Sequence, residues 1–288
     1  MMDDRQFRFG IFSWFGFRHS LDERMRMIKA AGFSATSVWL GRPERLVHEG
    51  REDEIPPIVR SHGLELEYIH ASYVNCNKLW SESAADRTVI RKDYLRDIAY
   101  CARHHIPTLV VHISKGLSPP TVKQSGLDVV SDLVKAAEDS GVCLAVENTR
   151  QPDHLGYILQ NIDSPHLGFC YDSSHDFLVG SPAGELLRKW GRLLRITHFS
   201  DNDARSDRHW LPGTGTGKWE QIAQWFPYAV YTGYLTLEVL PTGGDRKTGE
   251  EFLRDAHARL TWLADLFRHH HGERLASRDP KSSSMSRR

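Results

Sequence analysis

Short apolar runs recur along the chain, each separated from the next by a longer stretch whose apolar residues keep helical spacing. The runs are FRFGIF (7–12), FSATSVWL (33–40), LELEYIH (64–70), PTLVVHI (107–113), VCLAVEN (142–148), LGFCYD (167–172), LLRITHFS (193–200) and YLTLEV (234–239). Their brevity and their β-branched and aromatic residues mark them as parallel strands covered on both faces. The stretches between them predict helices. In SLDERMRMIKAAG, Ser20 stands as an N-cap, Glu23 follows three residues later and Gly32 ends the run, a capping box with a glycine stop. DRTVIRKDYLRDIAYCARHH spaces Val89, Tyr94, Ile98 and Cys101 along one face, and EEFLRDAHARLTWLADLFRHH closes the series. Eight strands alternating with about eight helices predict a (β/α)8 TIM barrel. A doubly wound open sheet is the alternative arrangement of the same elements.

No linker divides the chain, so residues 1–275 are expected to form a single barrel domain. The segment 276–288, ASRDPKSSSMSRR, is polar, basic and aperiodic, and is expected to be a disordered tail. HHH at 269–271 reads as the polar end of the last helix.

Composition narrows the functional classes. Over 288 residues, Lys+Arg and Asp+Glu are both 37, so no global basic field exists to hold a polyanion, which argues against nucleic acid as a partner. The four cysteines (Cys76, Cys101, Cys143, Cys170) have no CxxC spacing and read as reduced core residues. No apolar run approaches membrane-spanning length, and MMDDRQFRFG lacks the apolar core of a signal peptide. The protein is expected to be soluble and cytoplasmic, with no membrane association; a homo-oligomer is left open.

The 16 histidines matter by position. Active sites of (β/α)8 barrels lie at the C-terminal ends of the strands. In order, the predicted ends carry His70, His112, Glu147, Asp172 with His175, His198 with Asp201, and Glu238, and Asp207 and His209 follow the seventh strand. Six consecutive strands thus end in a metal-binding residue type. A single strand-end histidine is commonly just a satisfied polar residue. Glu147 after LAV and Glu238 after LTL are harder to explain so, because a carboxylate beside a buried apolar run is costly unless paired or metal-bound. Glu147, Asp172, His198 and Glu238 offer mostly oxygen, which suits Mn2+, Co2+ or Mg2+ at least as well as Zn2+. His70, His112, His175, Asp207 and His209 are candidates for substrate binding or for a second, nitrogen-rich site that would favour zinc. GTGTG at 213–217 lacks the GxGxxG spacing, so it does not signal a dinucleotide.

These residues together resemble the xylose isomerase-like TIM barrels, a family that includes sugar-phosphate isomerases and epimerases and endonuclease IV. The resemblance runs from about residue 7 to 268. HASYVN (70–75) is similar to the H-x-P-Y-x-x-N after strand three, with Ser72 where Pro is usual. LVVHIS, LAVEN, YDSSHD, THFSDN followed by DRHWLPGTGTGKWE, and LTLEV resemble the motifs of strands four to eight in that order. The resemblance implies a divalent metal on Glu147, Asp172, His198 and Glu238, with the metal polarising a substrate carbonyl and stabilising an enediolate. Glu147 and Glu238 would be the acid and base. His175 would hydrogen-bond a substrate oxygen, and Trp14, Phe15 and Trp39, near the first two strand ends, are expected either to wall the apolar face of a sugar or to serve as ordinary barrel packing.

Three functions fit this pattern. The favoured one is a metal-dependent sugar or sugar-phosphate isomerase or epimerase acting on a small polyol. The others are an endonuclease IV-like zinc phosphodiesterase acting on abasic DNA, and a barrel that binds a ligand without turning it over. Substrate choice would lie in loops 41–55, 73–87 and 114–126. No arginine cluster in the sequence marks a phosphate pocket, so phosphorylated and free polyols both fit.

Overall fold

All eight apolar runs form parallel strands in the computed structural model, which describes residues 7–40, 52–179, 182–244 and 246–278. The strands are β1 (Phe9–Phe12), β2 (Ala35–Trp39), β3 (Glu65–His70), β4 (Thr108–Val111), β5 (Cys143–Glu147), β6 (Leu167–Asp172), β7 (Leu194–His198) and β8 (Leu235–Leu237). Their order is β7–β6–β5–β4–β3–β2–β1–β8. A parallel bridge between Phe199 and Leu237 joins the two ends, with the Phe199 amide donating to the Thr236 carbonyl at 2.9 Å. The sheet is therefore a nearly closed barrel, and the open doubly wound alternative does not occur.

The helices are α1 (Leu21–Ala30), α2 (Ile55–Ser61), α3 (Ala84–Arg103), α4 (Gln124–Asp139), α5 (Pro152–Asn161), α6 (Ser173–Val179), α7 (Glu185–Trp190), α8 (Trp219–Trp225) and α9 (Gly249–Arg278). The capping box of α1 forms as expected: the Glu23 amide donates to Ser20 Oγ at 3.2 Å and the Ser20 amide to Glu23 Oε2 at 2.9 Å. In α3 the buried face runs through Ile90, Tyr94, Ile98 and Cys101, while Val89 is 38% exposed. The expectation for Val89 fails by one residue, about 100° of helical rotation. The last helix continues through 276–278, the first residues of the expected tail, whereas 279–288 lie outside the described residues, as does 41–51 of the loop after β2. The HHH motif lies within α9, where His270 reaches Glu220 of α8 at 2.6 Å. No helix among the described residues is long and apolar enough to cross a membrane.

Two apolar layers follow from the two faces of the sheet. The larger fills the space between strands and helices. The smaller is a plug inside the barrel made of Phe12, Tyr68, Val110, Ala145, Cys170 and Ile196. Below it Glu67 is left unpaired where the β2–β3 register jumps from Leu66 to Tyr68. Its carboxyl accepts a 2.6 Å hydrogen bond from the Thr236 hydroxyl, and burial pushes its pKa up to about 8.

Glu67 makes stability depend on pH. An unfolded glutamate titrates near 4.5, the folded one near 8, so between these values the folded protein holds a proton the unfolded chain has released. Stability therefore falls as pH rises through that window. Glu67→Gln is expected to raise the Tm by at least ~3 °C above pH 8 and by much less near pH 5. Scanning calorimetry at both values checks this, and a difference independent of pH would contradict it.

Candidate metal centre and cavity

Side chains of a strand point to the same face at every second residue. One such step beyond the plug residues Tyr68, Val110, Ala145, Cys170 and Ile196 lie His70, His112, Glu147, Asp172 and His198, and the same step from Thr236 reaches Glu238. The polar ring read at the strand ends is thus the next inward layer of the barrel. Glu147, Asp172, His198 and Glu238 each present one donor atom, all within 4.8 Å of one another. A cation with bonds of about 2.0–2.6 Å spans donor separations of that size.

Glu147 is the hub. Its Oε2 lies 3.1 Å from Nε2 of His70, 3.1 Å from Nε2 of His112 and 3.4 Å from Nδ1 of His198, and its Oε1 is 3.3 Å from Nδ1 of His175. His70, His112 and Glu147 also form a three-donor group of their own. Beside them Asp207 Oδ2 lies 3.2 Å from Nε2 of both His175 and His209. Nine of the ten polar residues expected at the strand ends and after β7, all but Asp201, are therefore neighbours. His209 holds φ 52°, in the left-handed region, and its carbonyl accepts from the Leu240 amide at 2.6 Å.

The charges are heavily buried, and their balance explains the titration. Burial opposes charge on Glu147, but the His112 and His198 imidazoles hold it well below its ordinary value. Glu238 is lowered to about 2, burial again being outweighed by His198. Burial pushes Asp172 up to about 7. Burial also opposes charge on His198. The Cys170 thiol and Tyr68 phenol beside it are themselves raised far enough to be neutral at pH 7. That leaves the Glu147 and Glu238 carboxylates to lift its imidazole well above the usual range. Protons thus occupy places where a cation could neutralise the same carboxylates.

Hydrogen bonding supports that fit. Asp172 Oδ2 and both ring nitrogens of His198 are buried and have no hydrogen-bond partner. His198 Nδ1 lies 3.0 Å from Glu238 Oε2, a close approach without hydrogen-bond geometry. Buried orphan donors and acceptors cost about 1–3 kcal/mol each. Three carboxylates, and an imidazole whose ring nitrogens meet no hydrogen-bond partner, suit a hard or borderline divalent cation once the imidazole gives up its proton.

Neighbouring side chains hold this layer in place. Asn148 brackets the backbone at Asp172, donating from Nδ2 to its carbonyl at 2.8 Å and accepting from its amide at 2.7 Å. His175 Nδ1 lies 2.8 Å from the Asn148 carbonyl, and Ser174 Oγ donates to Asp207 at 2.6 Å. Asp201 does not join the ring. Its carboxylate accepts from the amides of Gly213, Gly215 and Gly217 at 2.9, 3.1 and 2.9 Å and from Trp219 Nε1 at 2.9 Å. The GTGTG turn is thus folded around an anion of its own chain.

Above the cluster opens a cavity of about 310 Å3, with Trp14, Trp39 and Tyr73 among its walls and Lys115 and Arg150 also lining it. Phe15, expected as wall, is instead fully buried in the outer core. It stands one residue past Trp14 and so takes the opposite face. Asn148, Tyr73, Lys115 and Arg150 escaped the sequence reading. Asn148 and Tyr73 lie inside the quoted LAVEN and HASYVN motifs, but only contact geometry shows what they do.

The sequence profile of the family described as "Xylose isomerase-like TIM barrel" matches residues 25–260. Fructoselysine 3-epimerase of Escherichia coli O157:H7 is 27% identical over 133 residues, 43% of this chain and 48% of that protein, so the chain spans about half the length of that relative. A protein of Methanocaldococcus jannaschii is also 27% identical, over 127 residues covering 41% of this chain and 43% of its own length. Among solved structures, L-ribulose 3-epimerase superposes with a TM-score of 0.75 at 15% identity, covering 95% of this chain and 99% of that one. A D-tagatose 3-epimerase-like protein gives 0.71 at 18%, covering 91% and 98%. At these identities the structural likeness establishes the fold.

Metal loading should displace protons. With its imidazole held well above 6.5, His198 is protonated at pH 7 and must lose that proton to become a ligand. Titrating metal-free protein with Mn2+ at pH 7 is expected to release at least one proton per cation, with affinity rising about tenfold per pH unit for each proton displaced. Calorimetry in two buffers of different ionisation enthalpy counts the protons. Release of none would remove His198 from the donor set.

Proposed function

The chain belongs to the xylose isomerase-like TIM barrels, and from that premise we propose that it is a metal-dependent sugar or sugar-phosphate epimerase or isomerase acting on a small polyol in the cytoplasm. The observation that carries this reading is the four-donor group that includes two glutamates, Glu147 and Glu238, beside a cavity of about 310 Å3. A cavity of that size accommodates a small molecule. The names of the epimerase relative and structural neighbours share one chemistry, inversion at carbon 3 of a sugar.

In this reading Glu147, Asp172, His198 and Glu238 hold a divalent cation, for which three oxygens and one nitrogen suit Mn2+, Co2+ or Mg2+ at least as well as Zn2+. Bound there, such a cation would supply Lewis-acid polarisation of a substrate carbonyl. The protein's own part is proton transfer. One glutamate would take the proton from the carbon beside the carbonyl and pass it to solvent, and the other, ionised in the resting site, would deliver to the opposite face a proton it has first taken from solvent. Glu238, 8% exposed against 1% for Glu147, has the better access to solvent for exchanging its proton. His175 would donate from Nε2 to a substrate oxygen in exchange for its 3.2 Å contact with Asp207, its Nδ1 being held by the Asn148 carbonyl. Trp14 and Trp39 cover the carbon face of the sugar.

A second reading rests on the remaining polar residues. The His70–His112–Glu147 group offers one further metal position, and Asp207 Oδ2 lies 3.2 Å from Nε2 of both His175 and His209. That is the pattern of an endonuclease IV-like zinc phosphodiesterase for abasic DNA. Metal analysis separates the two: one Mn2+ or Co2+ per chain supports the sugar enzyme, three Zn2+ the nuclease.

Glu238→Gln keeps an oxygen for the metal but no proton-transferring carboxylate. This variant is expected to retain metal and lose at least ~10²-fold in turnover. Asp172→Asn is expected to bind metal weakly and to recover partly in excess metal. Wild type should place solvent deuterium on the reacting carbon of a ketose or of fructoselysine, read by NMR. A fully active Glu238→Gln would end the two-glutamate mechanism.

A further inference from the structure

We propose that Lys115 and Arg150 form an anion subsite at the rim of the cavity, so that the substrate is an anionic polyol, carrying a carboxylate or a phosphate at the end away from the metal. The inference rests on the sugar-enzyme reading above for the polyol, and on the following contacts for the anion.

The two cations belong to the loops that follow the adjacent strands β4 and β5. Those loops are stapled to each other by the residues just before the cations: Ser114 Oγ and Thr149 Oγ1 are buried and 2.6 Å apart. Lys115 and Arg150 therefore leave a common point, and both line the same cavity. Lys115 is positioned further by Asn77, whose Nδ2 donates to the Lys115 carbonyl at 3.1 Å and whose Oδ1 accepts from its amide at 2.9 Å. Its ammonium gives one hydrogen bond to the Val74 carbonyl at 2.6 Å. An ammonium has three donors, so two are left to serve a ligand.

Arg150 is half-buried and has no carboxylate partner within ion-pair distance among the described residues. The acids of the cavity cannot serve it, because Glu147, Glu238 and Asp207 are engaged with imidazoles. A guanidinium is seldom withdrawn from water without an anion to meet it, and its planar fork matches both carboxylate and phosphate. The other structure able to hold a phosphate, the glycine-rich turn at 213–217, is already filled by Asp201. Acids on the floor and unpaired cations on the rim fit a ligand that presents polarised oxygens at one end and negative charge at the other.

The test uses D-fructose, D-fructuronate and D-fructose 6-phosphate, ketoses that differ at carbon 6, together with inorganic phosphate. Affinities are measured by calorimetry on the Mn2+-loaded wild type and on Arg150→Met, Lys115→Met and Arg150→Lys. An anionic ketose is expected to bind at least ~10-fold tighter than D-fructose, and that ratio to fall at least ~10-fold in each Met variant, the scale of a lost charge-assisted hydrogen bond. Arg150→Lys should restore part of it, which separates lost charge from lost folding. The larger preference, for D-fructuronate or for D-fructose 6-phosphate, identifies the anion as carboxylate or phosphate. Equal affinity for neutral and anionic ketoses in the wild type, or an unchanged ratio in the variants, overturns the subsite. If phosphate binding drops in the Met variants while no ketose exchanges deuterium, the epimerase reading fails and the subsite stands. If ketoses exchange and phosphate binds every variant equally, the subsite fails and the epimerase reading stands.

Discussion

A strand in a closed barrel turns every second side chain toward the axis, and that period of two decides where everything else in this molecule can be. Tyr68, Val110, Ala145, Cys170 and Ile196 fill the axis with apolar and weakly polar groups. The next inward positions cannot be filled the same way without closing the mouth, and here they are His70, His112, Glu147, Asp172 and His198. The plug beneath them shuts out water, so their charges must balance one another. This is why Glu147 is ringed by imidazoles and why His198 retains a proton.

The same period made the fold and most of the site legible in the sequence. Apolar runs such as LAV and LTL, each followed by a glutamate, mark both the strand and its wet end. What stayed hidden depends on contacts between distant segments. Lys115 and Arg150 are 35 positions apart and come to line one cavity through the pairing of β4 with β5 and the Ser114–Thr149 hydrogen bond. Val89 and Phe15 were misplaced for a simpler reason. Each sits one residue from the buried or cavity-facing position, and an apolar residue one step out of phase looks the same in sequence.

Three asparagines do related positioning work. Asn148 clamps the peptide of Asp172, Asn77 that of Lys115, and Asn202 donates to the Ser174 carbonyl at 2.8 Å while accepting from the Ala204 amide at 2.8 Å. A carboxamide carries a donor and an acceptor side by side, so one side chain can satisfy both backbone groups of a strand end or loop where the ladder has stopped. Such clamps fix the direction of a functional residue without touching its reactive atoms, which keeps rigidity separate from chemistry.

Asp201 gives the loop after β7 an unusual character. Three glycine amides and an indole converge on one carboxylate, and a Cβ at Gly215 would meet the Asn202 carbonyl oxygen at 2.2 Å. The turn is a receptor whose guest is covalently attached. Its shape is therefore set at folding rather than at ligand arrival, and Asp207 and His209, carried on the same loop, reach the cavity already aimed. Because the guest cannot diffuse away, competing anions in solution have no vacancy to enter there.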